Sequence, residues 1–291
     1  MEFVKITSGE FLMGSPNSEK GRVVHEEQRK ISLEKAHYHQ ITPVTVGQWK
    51  KFTDSENYLT TAEKENWAWG FYPSGKNRLP FRTPDYQWKR QPGCNWKNPG
   101  FNQTDNHPVT CVSWDDAVAF VNWINKKDKF IYSLPSEEQW EYCCRANTYT
   151  AYSFGNRLST GQANFRRRIS SNLRKILPFE KDVPVYQTTM VKRYKPNNWG
   201  LYDMHGNVWE WCLNSCDVET GPGGSNIITN TYLTELNQEN PKEGTHRILR
   251  GGSWFYGSKC CRSAFRRSLS PNERSSGIGF RLVCLSHDGE I

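Results

Sequence analysis

No run of about 18 apolar residues occurs in the 291-residue chain, so no segment reads as a membrane-spanning helix. The opening MEFVKITSGEF lacks a basic stretch followed by an apolar one, and as written it carries no export signal. No cysteine pair has Cys-x-x-Cys spacing and no Cys/His group has zinc-module spacing, which excludes the common small metal-stapled folds. No self-similarity recurs at the period of a solenoid or propeller. Basic residues are not interleaved with stacking aromatics and no nucleic-acid module is recognisable, so nucleic acid is not an expected partner.

What is there points to a folded chain rich in loops and aromatics. Charged residues make up 23%, mean hydropathy is −0.80 and there are 12 Trp, whereas disordered chains are poor in large apolar groups. The length fits one generous domain over 1–291, expected to be monomeric. The net charge of +8 is concentrated between Arg157 and Lys181, where Arg166, Arg167, Arg168, Arg174 and Lys175 read as a solvated, mobile basic loop. The nine cysteines read mostly as buried apolar side chains or free thiols, with Cys212 and Cys216 the candidates for a bridge.

Three capping boxes announce helices: Thr45 with Gln48, Ser113 with Asp116, and Ser136 with Gln139. In the second, Ala117, Phe120, Val121 and Ile124 follow the spacing of a core-facing stripe. Phe71 to Pro108 is dense in Pro, Gly, Asn and Trp and reads as long ordered loops pinned by buried indoles. IGFRLVCL alternates Ile278, Phe280, Leu282 and Cys284, the pattern of a strand, with HRILRGG as its partner. The fold class is therefore α+β: a small antiparallel sheet, a few helices and extensive ordered loops.

The blocks GEFLMGS, PVTVGQW, HPVTCVSWDDAVAF, YSLPSEEQWEYCCRA, NNWGLYDMHGNVWEWC, LRGGSW and IGFRLV, in this order and nearly end to end, resemble the formylglycine-generating-enzyme (sulfatase-modifying factor) family. The resemblance implies that family's variant of the C-type lectin fold. It also implies where a catalytic pair would sit, because oxidising members carry reactive cysteines three and eight residues past the Ser of RGGS. Counted from Ser253 these positions hold Tyr256 and Cys261, so the first thiol is missing. One sulfur and a phenol do not make the soft two-thiolate site that selects copper(I), so no catalytic residues and no required cofactor are expected. Calcium is a further family property, and Asn207 with Glu210 matches one ligand set; a turn cap at Asn207 and an Arg partner for Glu210 is the competing reading. In the other set, Pro178 stands where an Asp would be needed after Asn164.

The C-terminal stretch, cassette 247–285, also resembles the variable proteins of diversity-generating retroelements, in which template adenines are randomised, and the treponemal variable protein class in particular. Framework blocks alternate with positions whose codons would be Asn in the template: Phe255, Tyr256, Gly257, Cys260, Phe265, Arg267, Ser268, Leu269, Ser270, Ser275, Ser276 and Gly277. Randomising both adenines of AAC never yields Lys, Glu, Gln, Met or Trp, and none of these stands at those positions; Lys259 and Glu273 belong to the framework. Aromatic, Ser and Gly side chains suit a binding face, and randomised positions must be exposed if the scaffold is to survive. For Phe255, Tyr256 and Phe265 the competing reading is ordinary core packing. Trp254, Ile278 and Phe280 read as core anchors, while Arg250, Arg262, Arg266, Arg274 and Arg281 are expected to bond loop carbonyls.

The expected function is non-enzymatic binding of a protein or other surface molecule, and the resemblance implies a cell-surface lipoprotein. The alternatives are a divergent oxidase using Cys261 or a metal-dependent oxygenase. For iron, His37 and His39 with Glu34 form the one close grouping in sequence.

Overall fold

The computed structural model describes residues 1–73, 86–166, 186–220, 226–232 and 246–285, with the side chains of Pro73, Tyr86 and Asn226 left aside. Most of the basic loop, including Pro178, lies outside the described residues. Along the chain run β1 (Phe3–Ile6), β2 (Gly9–Met13), β3 (Arg29–Leu33), β4 (His37–Gln40), α1 (Val46–Glu56), α2 (Thr61–Glu65), β5 (Trp67–Pro73) and β6 (Tyr86–Pro92). Next come α3 (Trp114–Lys127), β7 (Ile131–Ser133), α4 (Glu137–Arg145), β8 (Trp209–Thr220) and β9 (Asn226–Tyr232). The last elements are β10 (His246–Arg250), β11 (Arg267–Leu269), β12 (Ile278–Gly279) and β13 (Val283–Leu285).

All three expected helices start at their capping boxes, each with the Ser or Thr oxygen accepting from the amide three residues on and the reciprocal bond present. Thr60 and Glu63 form a fourth box, opening α2. The α3 stripe of Ala117, Phe120, Val121 and Ile124 is buried as its spacing dictates. Its Phe120 stacks on Trp49 of α1 at 5.6 Å and meets Phe280 edge-on at 5.5 Å.

One sheet has the order β1-β4-β13-β7, joining the first strand to the last. A second has the order β11-β10-β8-β12, with β9 added on β8. Two hairpins, β2-β3 and β5-β6, complete the set among the described residues.

Two expectations fail here. Phe71 to Pro108 is not all loop, because β5 and β6 pair from Trp67↔Pro92 to Pro73↔Tyr86. Nor is IGFRLVCL one strand beside HRILR. Its start, β12, lies parallel to β8, its end, β13, joins the other sheet, and β10 pairs instead with β8 and β11. The reason is burial on both sides: every residue from Ile278 to Cys284, Arg281 included, is buried. Alternation in such a segment does not mark one wet face.

The five regularly placed arginines each combine a carboxylate with at least one loop carbonyl. Arg281 grips Glu210 at 2.6 and 2.7 Å and also bonds the carbonyls of Gln40 and Tyr202. Arg262 bonds Glu26 and Glu19 and the carbonyls of Lys259 and Gly21. Arg274 bonds Glu65 and the carbonyls of Trp67 and Asn272. Arg250 reaches Glu141 and the Phe265 carbonyl, and Arg266 grips Glu137 and reaches the His25 carbonyl. Irregular backbone without a ladder thus obtains its hydrogen bonds from guanidinium groups.

All nine cysteines are free. Cys212 and Cys216 lie four residues apart on β8, a separation of about 13 Å along a strand, so they cannot bridge.

Candidate functional site

The site is built where β10 ends. Gly251 and Gly252 have φ of +94° and +76°, turning the chain away from the sheet. Trp254 anchors the turn, donating from Nε1 to the Ser276 carbonyl at 2.9 Å. The main chain then doubles back, with the Tyr256 amide on the Ser253 carbonyl, and runs through a short 3-10 turn at Ser258–Cys261 before returning as β11.

Three adjoining cavities open on this return, of about 780, 990 and 320 Å³, and Tyr256 lines all three. Ten of the twelve expected binding residues line at least one of them; Ser270 and Ser276 do not. The structure therefore brings most of the cassette positions to a single concave site.

Their exposure is not what the sequence suggests. Phe255, Tyr256, Gly257, Cys260, Phe265, Arg267, Leu269 and Ser270 are half-buried, whereas Ser268, Ser275, Ser276 and Gly277 are buried. Outward presentation is thus wrong for these four. The Ser275 carbonyl accepts from the Cys111 amide at 2.8 Å, and the Ser276 amide donates to the Trp69 carbonyl at 2.8 Å. A Cβ on Gly277 would stand 3.0 Å from the Ser253 hydroxyl. Ser268 pairs with Ile248 in the sheet and forms part of the cavity floor.

Phe255, Tyr256 and Phe265 are neither free nor sealed. Phe255 stacks on Trp88 at 4.7 Å and lies 4.6 Å from Phe71, with the Arg166 guanidinium 5.3 Å over its ring. Trp209 meets Tyr256 edge-on at 5.5 Å and Phe265 at 5.9 Å. Arg267 donates to the Tyr256 hydroxyl and lies 4.9 Å from its ring centroid.

Several lining residues were not legible in the sequence. Trp209 belongs to a framework block, Arg22 and His25 arrive from the N-terminal segment, and Trp88 comes from β6. Arg166, assigned to a mobile loop, is held by its amide on the Tyr256 carbonyl at 2.9 Å. Indole Nε1 of Trp209 and the hydroxyl of Ser253 are buried without a hydrogen-bond partner. Polar atoms left unpaired around a cavity are available to a ligand. Among the described residues, the charged and imidazole side chains that line the two larger cavities are arginine, lysine and histidine, with no carboxylate.

Cys261, which the sequence resemblance sets at the second reactive-cysteine position, is fully buried, and burial pushes its thiol well above the usual range. Its sulfur donates toward the Gly257 carbonyl at 3.8 Å. Its own carbonyl accepts from Nδ1 of His205 at 2.8 Å, while Nε2 of His205 accepts from the Ser153 amide at 3.0 Å. That arrangement fixes the neutral tautomer, and burial lowers the His205 pKa to about 4. The unfolded chain protonates near pH 6.5 and the folded one only near 4. The stability contributed by neutral His205 is therefore present above pH 6.5 and is lost as pH falls toward 4, at up to about 1.4 kcal/mol per pH unit. His205→Gln is expected to show a shallower fall in urea midpoint between these limits than wild type; an unchanged slope refutes the assignment.

Asn207 and Glu210 do not form a calcium cradle. The Asn207 side chain is consumed by Asn164, Thr189 and Asp203, and the Glu210 carboxylate by Trp140 and Arg281. With both Glu210 oxygens held by the Arg281 guanidinium and Asn207 Oδ1 already accepting two hydrogen bonds, this donor pair as arranged fits the turn cap and Arg partner and not calcium. The iron grouping changes as well: Glu34 is exposed, while His37 and His39 point inward to Cys143.

Comparison with known proteins agrees with this architecture. The family described as "Sulfatase-modifying factor enzyme 1-like domain" matches residues 1–285, and the chain belongs to it. Among particular relatives, a formylglycine-generating enzyme of Thermomonospora curvata is 31% identical over 255 residues, covering 80% of this chain and 77% of the relative. The fold is similar to that of PvdO from Pseudomonas aeruginosa (TM-score 0.67, 24% identity, 97% and 93% of the two chains). It is similar too to Treponema denticola variable protein 1 (TM-score 0.62, 21% identity, 97% and 94%). No helix among the described residues is long and apolar enough to cross a membrane.

Proposed function

We propose that this chain is a non-enzymatic binding protein that takes an anionic segment of a protein or surface molecule into the cleft around Tyr256. The observation that carries the reading is Tyr256 itself: a phenol, bonded to Arg267, stands where the resemblance places the first reactive thiol. The buried, proton-retaining Cys261 supports it, since the thiolate is the reactive and metal-binding form. Aromatic walls with guanidinium groups, and no acidic side chain among the described lining residues of the larger cavities, favour a ligand carrying carboxylates or other anionic groups. Retroelement diversification is proposed only for the eight half-buried positions, because randomising Ser268, Ser275, Ser276 or Gly277 would act on the scaffold. Flanking DNA with a near-identical repeat carrying AAC or AAT at those eight codons, beside a reverse transcriptase gene, is the expected genomic signature.

The test pairs two measurements on the full chain. Copper-dependent oxygen consumption with cysteine-containing peptides should stay at the rate without protein; turnover abolished by Cys261→Ser would establish the oxidase instead. Peptides selected on the wild-type chain from a random display library should be enriched in Asp and Glu. Their binding should weaken by about 100-fold or more in the Tyr256→Ala, Phe265→Ala double variant, as loss of two aromatic anchors implies. Undiminished binding by that variant overturns the reading.

A further inference from the structure

Away from the cleft, β4 and α4 bring three potential ligands together in the apolar interior. His37 and His39 share the inward face of β4, being two residues apart, and Cys143 faces them from the helix. His37 and His39 are 2% and 0% exposed and Cys143 is 0% exposed, so water does not serve them. Cys143 Sγ lies 3.8 Å from Nε2 of His37 and 3.4 Å from Nδ1 of His39. One ligand atom from each of the three falls within 4.8 Å of the others.

As ordinary hydrogen-bonding groups the three are poorly matched. The thiol has one proton for two ring nitrogens, and sulfur is a weak acceptor. The remaining nitrogens, Nδ1 of His37 and Nε2 of His39, have no partner of hydrogen-bond geometry, although the Lys35 main chain lies near enough to His37 to influence it. Leaving such groups buried is costly.

We propose that His37 Nε2, His39 Nδ1 and Cys143 Sγ form a binding site for a d10 transition-metal ion, zinc(II) or copper(I). In a tetrahedral site with metal–nitrogen bonds of about 2.0 Å and metal–sulfur bonds of about 2.3 Å, neighbouring ligand atoms sit roughly 3.3–3.7 Å apart. The two sulfur–nitrogen separations need little adjustment, and the imidazole nitrogens, within 4.8 Å of each other, close the triangle by small side-chain rotations. Imidazole and thiolate are the donors that zinc(II) and copper(I) favour over calcium or magnesium. Binding releases the thiol proton and replaces weak contacts with three metal–ligand bonds. Such an ion clamps β4, which lies between β1 and β13, to α4, and its role is structural because the site is enclosed.

Metal uptake by an enclosed site is coupled to folding. The full chain is therefore unfolded with chelator and reductant, refolded anaerobically with zinc(II), copper(I) or cobalt(II), desalted and analysed for metal. The expected result is one zinc or one copper per chain, a higher melting temperature than the metal-free refolded protein, and a thiolate-to-cobalt charge-transfer band in the near ultraviolet for the cobalt form. A competition with both metals present shows which the site prefers. Cys143→Ala should lose the band and weaken metal retention at least about tenfold, whereas Cys216→Ala should keep both. The wild-type cobalt spectrum reads the site even if Cys143→Ala folds poorly. Wild type that refolds without retaining metal, or Cys143→Ala that keeps the metal and the band, overturns the proposal.

Discussion

Glu210→Ala is expected to destabilise the protein by about 3–5 kcal/mol, a large share of the roughly 5–15 kcal/mol that holds a typical domain together. Glu210 is 0% exposed and accepts from Nε and Nη2 of Arg281 at 2.6 and 2.7 Å and from Nε1 of Trp140 at 2.7 Å. Arg281 is 0% exposed too. Removing the carboxylate leaves a desolvated guanidinium without its counter-charge, held only by the Gln40 and Tyr202 carbonyls, and an indole donor without its acceptor. The penalty is that of an orphaned charge, and it exceeds any net gain the intact pair supplies. The double variant Glu210→Leu, Arg281→Met removes both charges and should recover most of the loss. Thermal melts decide: the single variant should fall by roughly 8–15 °C and the double by much less. A single variant melting within about 2 °C of wild type, or a double no better than the single, refutes the argument. By contrast, removing the exposed ion pair of Lys30 and Glu10, 71% and 56% exposed, should barely register.

This ion pair also shows what the sequence could and could not reveal. The regular spacing of arginines after Leu249 marks them as structural, but their carboxylate partners lie 71 residues away for Arg281 and 236 for Arg262. Local pattern carries no information at that range. Helix starts were legible because a capping box is closed within four residues. The β5-β6 hairpin was not, because Trp, Gly and Pro in those segments mimic loop composition while the pairing depends on the partner strand. For the cleft, the cassette residues were legible from their pattern, but half of its walls were not. Trp209, Arg166 and His25 are brought in by tertiary packing. Burial was misjudged at Ser275 and Ser276 for a related reason: small polar residues look like surface, yet here their main chain bonds Cys111 and Trp69. His37 and His39 were visible as a pair, while Cys143, 104 residues beyond His39, required the fold.

Two glycines five residues apart should respond in opposite ways to the same substitution. At Gly252, φ is +76° and an added Cβ would stand 2.6 Å from Cys261 Sγ, 2.9 Å from the Cys260 carbonyl oxygen and 3.0 Å from the Cys261 Cα. The left-handed backbone alone costs about 1–2 kcal/mol in an L residue. The contacts with main-chain atoms add to it, because relief requires the Ser258–Cys261 turn to move. Gly252→Ala should therefore destabilise by about 3 kcal/mol or more and displace Cys260, which lines both larger cavities, so that ligand binding falls along with stability. At Gly257, φ is negative and the nearest atom to an added Cβ is the Arg166 carbonyl oxygen at 3.9 Å. Gly257→Ala should change stability by no more than about 0.5 kcal/mol, while placing a methyl group on the cavity rim. Urea unfolding of the two variants side by side measures the contrast. If Gly252→Ala unfolds at the wild-type midpoint, the turn is not braced against that glycine. If Gly257→Ala is the more damaging of the two, the rim is not the tolerant surface that a variable binding face requires.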